Sequence, residues 1–279
     1  MKFSKMHGLG NDFIIINNLD ANIYISKDKI QFLCDRRFGI GADGLILVEK
    51  SKEAHIKMAY YNSDGNEVEM CGNGIRCFAK YVYDNQIISV NPINVETLAG
   101  IKIIQLNITK DKVSEVTVNM GDAIYEGSKI PIKIDKDIII DEEIMFENNN
   151  IKFSCISMGN PHTIIVVDDL DSYPVEKIGP FFENNPIFPN KTNVNFVQVI
   201  DKDNIKVITW ERGVGLTLAC GTGTCASVVL LNNKKLVNNK VNASLPGGKL
   251  IIQVKENIYM TGKAEHVFDG TIEFKEGIL

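Results

Sequence analysis

The sequence predicts an α+β (mixed α/β) protein built from two structural copies, each a set of strands wrapped about one helix. Three observations predict it. Gly10-Asn11 and Gly159-Asn160, each followed by an apolar run, stand 149 positions apart, and the two Cys-Gly-x-Gly elements, Cys71 to Gly74 and Cys220 to Gly223, share that offset. Two unrelated motif pairs with one spacing indicate an internal duplication. Apolar residues elsewhere alternate at period two in short runs, and after each Cys-Gly-x-Gly the period becomes helical.

Along the first copy, the apolar run Phe13 to Ile16 follows Gly10-Asn11. Ile75, Phe78, Ala79 and Val82 then fall on one helical face, and Val113, Val116 and Val118 read as a strand with one buried side. The copies join near residues 119–150, where Glu147 to Asn150 forms a polar low-complexity patch. In the second copy Thr163 to Val167 repeats the apolar run. Val194, Phe196 and Val199, then Ile205 and Val207, then Leu250, Ile252 and Val254 read as strands burying one face each. Asp201 to Asn204 and Lys255 to Asn257 are of hairpin length, which predicts antiparallel neighbours rather than crossover units. Ala226 and Val228 to Leu231 are apolar nearly all round, as a helix enclosed by a sheet requires.

With 279 residues, 44% hydrophobic and 23% charged, the chain can bury a sizeable core and is not a disordered scaffold. Its 30 basic and 35 acidic residues give a net charge of −5, which offers no footprint for a phosphate backbone, so nucleic acid is not an expected partner. No apolar run approaches the roughly 20 residues that span a bilayer, and Met1 to Gly8 carries no apolar stretch of signal length. A soluble, cytoplasmic protein without a membrane partner is expected. Six cysteines in such a chain predict reduced thiols, not a disulfide framework.

A cysteine followed by glycines at the start of a buried helix is a specific placement. The glycines let backbone N–H groups approach a ligand, and the helix end favours an anion there. Two anions benefit: a substrate carboxylate held by Gly72, Asn73, Gly221 and Thr222, and the thiolate of Cys71 or Cys220, lowered from about 8.5 toward neutrality. Cys34, Cys77, Cys155 and Cys225 lack this context and are assigned to packing. A metal site is not expected, because Cys71 and Cys77, and likewise Cys220 and Cys225, would sit roughly 240° and 140° apart around a helix. Two thiols, one per copy, suit inversion of a stereocentre, which needs a base and an acid on opposite faces of one carbon. No phosphate cradle with a lysine suggests pyridoxal phosphate, so no cofactor is expected.

At this point the motifs resemble a known family. Gly8 to Phe13, Tyr61 to Gly65, Cys71 to Cys77, Gly159 to His162, Trp210 to Gly213 and Ala219 to Gly223 are similar to the signatures of the diaminopimelate epimerases. The resemblance implies cofactor-free interconversion of LL- and meso-2,6-diaminopimelate, in the biosynthesis of lysine and peptidoglycan, by a homodimer acting on a small diamino dicarboxylic acid. It also implies two pseudo-symmetric domains, each a barrel-like, mostly antiparallel sheet around a central helix. The first domain is residues 1–118 plus 263–279, the last strand returning to it, and the second is 119–262.

Carried over to this sequence, the resemblance makes Cys71 and Cys220 the acid/base pair, with His162 and Glu211 tuning or relaying protons. Asn11, Asn62, Asn160, Asn193, Glu211 and Arg212 would hold the distal end of the substrate, Arg212 gripping a carboxylate and Glu211 an ammonium. The sequence departs from the pattern at Gly44, where glutamine is common, and at Lys263, where proline is common. Proline and hydroxyproline racemases share the implied fold but need no distal ammonium site, and phenazine-pathway isomerases lack the cysteine pair. A thiol redox sensor could also use two such cysteines.

Overall fold

The computed structural model describes residues 1–274. The chain forms two compact units, one comprising Met1–Asn119 and the chain from Thr261 onward, the other Met120–Met260. In the first lie β1 (Lys2–Gly8), β2 (Asn11–Asn17), α1 (Lys27–Cys34), β3 (Gly44–Glu49), β4 (Ile56–Asn62), α2 (Gly72–Asp84), β5 (Ile93–Thr97), β6 (Gly100–Thr109) and β7 (Lys112–Asn119). The second contains β8 (Glu142–Phe146), β9 (Asn149–Ser157), β10 (Pro161–Val166), α3 (Val175–Glu183), β11 (Asn193–Val199), β12 (Asn204–Glu211), β13 (Gly215–Thr217), α4 (Gly221–Asn233), β14 (Lys240–Leu245) and β15 (Gly248–Val254). β16 (Ile258–Gly262) runs across the division, and β17 (Glu265–Thr271) pairs antiparallel with β1. Of the strand expected at about 263–279, residues 275–279 lie outside the described residues.

The two units repeat one order of elements. In the first, β1 and β2 are antiparallel, β2 and β3 parallel, β3 and β4 antiparallel, and β4 and β5 parallel. In the second, β9 and β10 are antiparallel, β10 and β11 parallel, β11 and β12 antiparallel, and β12 and β14 parallel. Each parallel step is spanned by a helix, α1 and α2 in one unit and α3 and α4 in the other, because parallel strands need a crossover. Crossovers are thus part of the fold. The hairpin reading holds for consecutive strands such as β11 and β12, where the Asp201 carboxylate accepts from Asp203 N and Asn204 Nδ2 to close the turn.

α2 packs against β1, β2, β3, β4, β6 and β7, so the sheet wraps round it; Ile75, Phe78, Ala79 and Val82 on its inner face are fully buried. α4 packs likewise against β9, β10, β11 and β15, with Ala226 and Val228 to Leu231 buried. β11 departs from the one-sided reading, since Asn193 to Val197 are all buried. It is sandwiched between α3 on one face, where Val194 and Phe196 join Ile178 and Phe182, and α4 on the other. In β7 the spacing of Val113 and Val116 breaks the period of two, and a register shift in its pairing with β6 restores both valines to the buried side. Because Phe78 has no solvent exposure, Phe78→Ala is expected to cost about 3–5 kcal/mol of stability. Urea unfolding measures it; a loss below about 1 kcal/mol would show that α2 is not the centre of its unit's core.

Candidate active site

In each unit the motif residues gather at one end of the sheet. β2 and β3 begin there with Asn11 and Gly44, and antiparallel β4 ends there at Asn62. In the second unit β10 and β11 begin at Pro161 and Asn193, and β12 ends at Glu211. α2 and α4 start at the same ends, and each is capped by a cysteine: Cys71 Sγ accepts from Gly74 N at 3.5 Å, and Cys220 Sγ from Gly223 N at 3.4 Å. Both cysteines have extended backbone angles typical of an N-cap. Gly72 and Asn73, and Gly221 and Thr222, are the first residues of the two helices, where backbone N–H groups have no partner within the helix.

Around Cys71 the polar groups interlock. Cys71 Sγ donates to Asn11 Oδ1 at 3.6 Å, and Asn73 Nδ2 donates to the same oxygen at 3.1 Å. Asn11 Nδ2 donates to Asp43 Oδ2 at 2.7 Å. Asp43 in turn shares Arg36 with Asp12, and Lys5 pairs with Asp12 at 2.7 Å. Burial alone would raise the Asp12 carboxyl, but hydrogen bonds from Arg36 and Lys5 hold it well below the usual carboxylate range. Arg76, with no solvent exposure, donates to Gly72 O, Asn73 Oδ1 and Lys263 O. The departure at Lys263 therefore leaves its backbone carbonyl in use.

Around Cys220, Sγ lies 3.6 Å from Thr222 Oγ1, which accepts from Asn160 Nδ2 at 3.5 Å. Asn160 Oδ1 meets His162 Nε2 at 3.0 Å, and His162 Nδ1 meets Asn195 Nδ2 at 3.2 Å. Asn195 Nδ2 also donates to Thr163 O, and its Oδ1 accepts from Thr209 Oγ1. Complete burial, aided by the charge of Arg212, pushes the imidazole of His162 down to about 3, so it is neutral. Asn193 joins two loops, donating to Pro161 O and accepting from Arg212 N. Glu211 Oε1 accepts from Thr217 Oγ1 at 2.7 Å, and the exposed Arg212 donates to Asn190 O.

Several residues of consequence were not singled out by the sequence reading. Glu183, only 5% exposed, accepts from Trp210 Nε1, Gly213 N and Lys191 Nζ, and so ties down the loop carrying Glu211 and Arg212. Burial would raise its carboxyl, yet these donors hold it below the usual range. Gly179 on α3 admits the Trp210 ring, whose atoms would lie 2.6 Å from a Cβ there. At Gly44 a side chain would strike the ring of Tyr60 at 2.6 Å, and the Tyr60 hydroxyl donates to Asn62 Oδ1. The space left by the missing glutamine is thus filled by Tyr60. Burial raises the thiols of Cys34 to about 11 and Cys155 to about 12, and that of Cys77 further still, in keeping with packing roles; Cys225 is also fully buried.

A family model described as diaminopimelate epimerase matches residues 3–126 and 154–267. The chain belongs to the diaminopimelate epimerase family. A diaminopimelate epimerase of Methanococcus maripaludis is 48% identical over 276 residues, covering 98% of this chain and all of that protein. One from Acetivibrio thermocellus is 45% identical over 279 residues, covering 99% of this chain and all of that protein. Among solved structures, a Bacillus anthracis phenazine biosynthesis protein of the PhzF family superposes with a TM-score of 0.71 at 15% identity, covering 98% of this chain and 99% of that one. A hydroxyproline epimerase from Agrobacterium vitis gives 0.69 at 14%, covering 97% and 91%. These two establish the shared two-domain repeat. As a diaminopimelate epimerase family member the chain is an isomerase, and among the described residues no helix is long and apolar enough to cross a membrane.

Two outcomes follow from this geometry. A Cβ at Gly223 would lie 2.0 Å from Asn195 Oδ1, whereas at Gly74 the nearest atom is Ile46 Cδ1 at 3.3 Å. Gly223→Ala should destabilise by about 1–3 kcal/mol, whereas Gly74→Ala should change stability by less than about 1 kcal/mol; equal urea midpoints for the two would contradict the packing. His162 is the second case. Its folded value lies below its ordinary 6.5, so between about 6.5 and 3 the unfolded chain binds the extra proton. Stability should fall as pH drops through that window, by up to about 1.4 kcal/mol per pH unit, and be flat above it. In His162→Gln, unfolding titrations should lose that part of the slope.

Proposed function

We propose that this protein interconverts LL- and meso-2,6-diaminopimelate by a two-thiol proton transfer without a cofactor. The observation that carries the reading is the duplicated N-cap cysteine, one at the start of each enclosed helix, in a chain of this family. Inversion at one carbon requires a base on one face and an acid on the other, and each unit contributes one thiol. Cys71 or Cys220 as thiolate takes the α-proton while the other thiol returns its own. The α-hydrogen of an amino acid is a poor acid, so the developing carboxylate-stabilised carbanion needs fixed donors. The N–H groups of Gly72, Asn73, Gly221 and Thr222 are assigned that task.

The distal amino-acid end is assigned to Asn11, Asn62, Asn160, Asn193, Glu211 and Arg212. Glu211 suits the ammonium and Arg212 the carboxylate. Asn193 contributes by holding Arg212 N. His162, neutral and occupied at both ring nitrogens, works by fixing Asn160 and not by carrying a proton itself. A cyclic imino acid has no distal ammonium for Glu211, which favours the diamino substrate over a hydroxyproline-type one. A homodimer acting in the cytoplasm, supplying lysine and cell-wall synthesis, completes the proposal.

In deuterium oxide with meso-diaminopimelate the protein should introduce deuterium at the α-carbon and form the LL epimer. Cys71→Ala and Cys220→Ala should each lower kcat by about 10²–10⁴-fold. No deuterium and no epimer from the unmodified protein would end the proposal, and near-normal inversion in either variant would mean another base.

A further inference from the structure

Both cysteines cap their helices at nearly equal distances from the third amide of the helix, 3.5 and 3.4 Å. The helix ends therefore do not decide which sulfur holds the proton at rest. The asparagine amides beside them do, because their polarity is forced in opposite senses. Asp43, a carboxylate that only accepts, takes Asn11 Nδ2. Arg76, a guanidinium that only donates, takes Asn73 Oδ1, which turns Asn73 Nδ2 toward Asn11. Held from both sides, Asn11 can offer only Oδ1 to Cys71, so the sulfur there must donate. A thiolate would face that oxygen with no proton between them.

In the second unit the sequence of constraints runs the other way. Thr163 O accepts from Asn195 Nδ2, so the Asn195 amide also points an N–H at His162 Nδ1. His162 is neutral, so its proton is on Nε2 and is donated to Asn160 Oδ1. Asn160 then presents Nδ2 to Thr222 Oγ1, a hydroxyl 3.6 Å from Cys220 Sγ that keeps a hydrogen it can donate to that sulfur. A group able to donate faces this sulfur, where a group that can only accept faces the other.

Taking the two cysteines as the acid/base pair of the proposed reaction, we propose that Cys71 rests as the thiol and Cys220 as the thiolate, the asymmetry being imposed at Cys71 by Asp43 through Asn11, while the Thr222 hydroxyl can donate to a thiolate at Cys220. The surrounding charges are as follows. On the Cys71 side Arg76 is engaged by Gly72 O, Asn73 Oδ1 and Lys263 O, and Lys5, Asp12, Arg36 and Asp43 pair among themselves behind Asn11. On the Cys220 side are neutral His162 on β10, and Glu211 and Arg212 at the end of β12, of which Glu211 accepts from Thr217 and Arg212 donates to Asn190 O. In a turnover starting from this state, the C–H bond breaks as an S–H bond forms at Cys220. The Cys71 S–H bond breaks as the new C–H bond forms on the opposite face. The proton then sits on Cys220 and the charge on Cys71, and exchange with solvent restores the resting state.

The test is a substrate-free titration of thiolate ultraviolet absorbance in full-length Cys71→Ser and Cys220→Ser, with folding checked by circular dichroism. The remaining Cys220 should ionise at a pH lower than the remaining Cys71, by about one unit or more, a tenfold difference in proton affinity. Adding Asp43→Asn to Cys220→Ser removes one of the two groups that hold the Asn11 amide and should lower the Cys71 titration, while Asp43→Glu, which keeps an acceptor, should restore it. Adding Thr222→Val to Cys71→Ser should raise that of Cys220. Cys71 ionising at or below Cys220, or a Cys71 titration indifferent to Asp43→Asn, overturns the proposal. Since no substrate is present, such a result leaves the isotope-exchange test of the reaction untouched.

Discussion

Each unit hangs its sulfur on the first turn of a helix of 13 residues enclosed by its own sheet, and everything at the site is arranged about that attachment. A serine or aspartate would be the stronger N-cap, since sulfur is a weak acceptor. The cysteine is therefore a concession of local stability to chemistry, and it gains something in return. The helix position is set by buried contacts on several strands, so the sulfur inherits the rigidity of the core and not the mobility of a loop. The same first turn supplies backbone N–H groups beside it, so reactive atom and anion site are fixed by one element.

The strand ends do the rest, and the two units reach similar arrangements by different chemistry. In the first, two aspartates, Arg36 and Lys5 brace the start of β2 and β3. In the second, no corresponding ion cluster holds the start of β10 and β11 among the described salt bridges; Asn195, His162, Thr163 and Thr209 form a neutral network instead. Glu183 secures Trp210 to Gly213 there from α3. The duplication preserved the backbone path and the capping cysteine while the polar scaffolding diverged.

This divergence marks the boundary of what the sequence makes legible. Periodicity locates the strands and both buried helices, because burial of a continuous apolar face leaves a repeating signal. The cysteine turns are legible because an unusual residue recurs in one glycine context. Asn195 is invisible to the same reading: in β11 a polar residue between apolar ones looks like a solvent-facing position, yet it is fully buried under α4. Arg76 and Glu183 mislead in the same way, as charged residues that read as surface until their partners are seen. The parallel strand pairs are hidden for a different reason, since a loop of hairpin length constrains only the two strands it joins and says nothing of partners brought back by a helix.

The recurrence of asparagine at the site has a physical cost that explains these hidden partners. An amide can present nitrogen or oxygen at nearly the same place, so by itself it defines a position but not a polarity. Among the described residues every buried side-chain nitrogen and oxygen has a hydrogen-bond partner, and the partners of Asn11, Asn73, Asn193 and Asn195 include groups of one sense only: a carboxylate, a guanidinium, a backbone N–H or a backbone carbonyl. Reversing any of these amides would set like against like, and for the buried Asn73, Asn193 and Asn195 at about 1–3 kcal/mol for each unsatisfied group. Asn62 differs, for its partner is the Tyr60 hydroxyl, which donates or accepts with equal ease. A protein that must stabilise a carbanion with its own dipoles needs those dipoles pointed before the substrate arrives, and one-sided partners behind two-sided amides accomplish that.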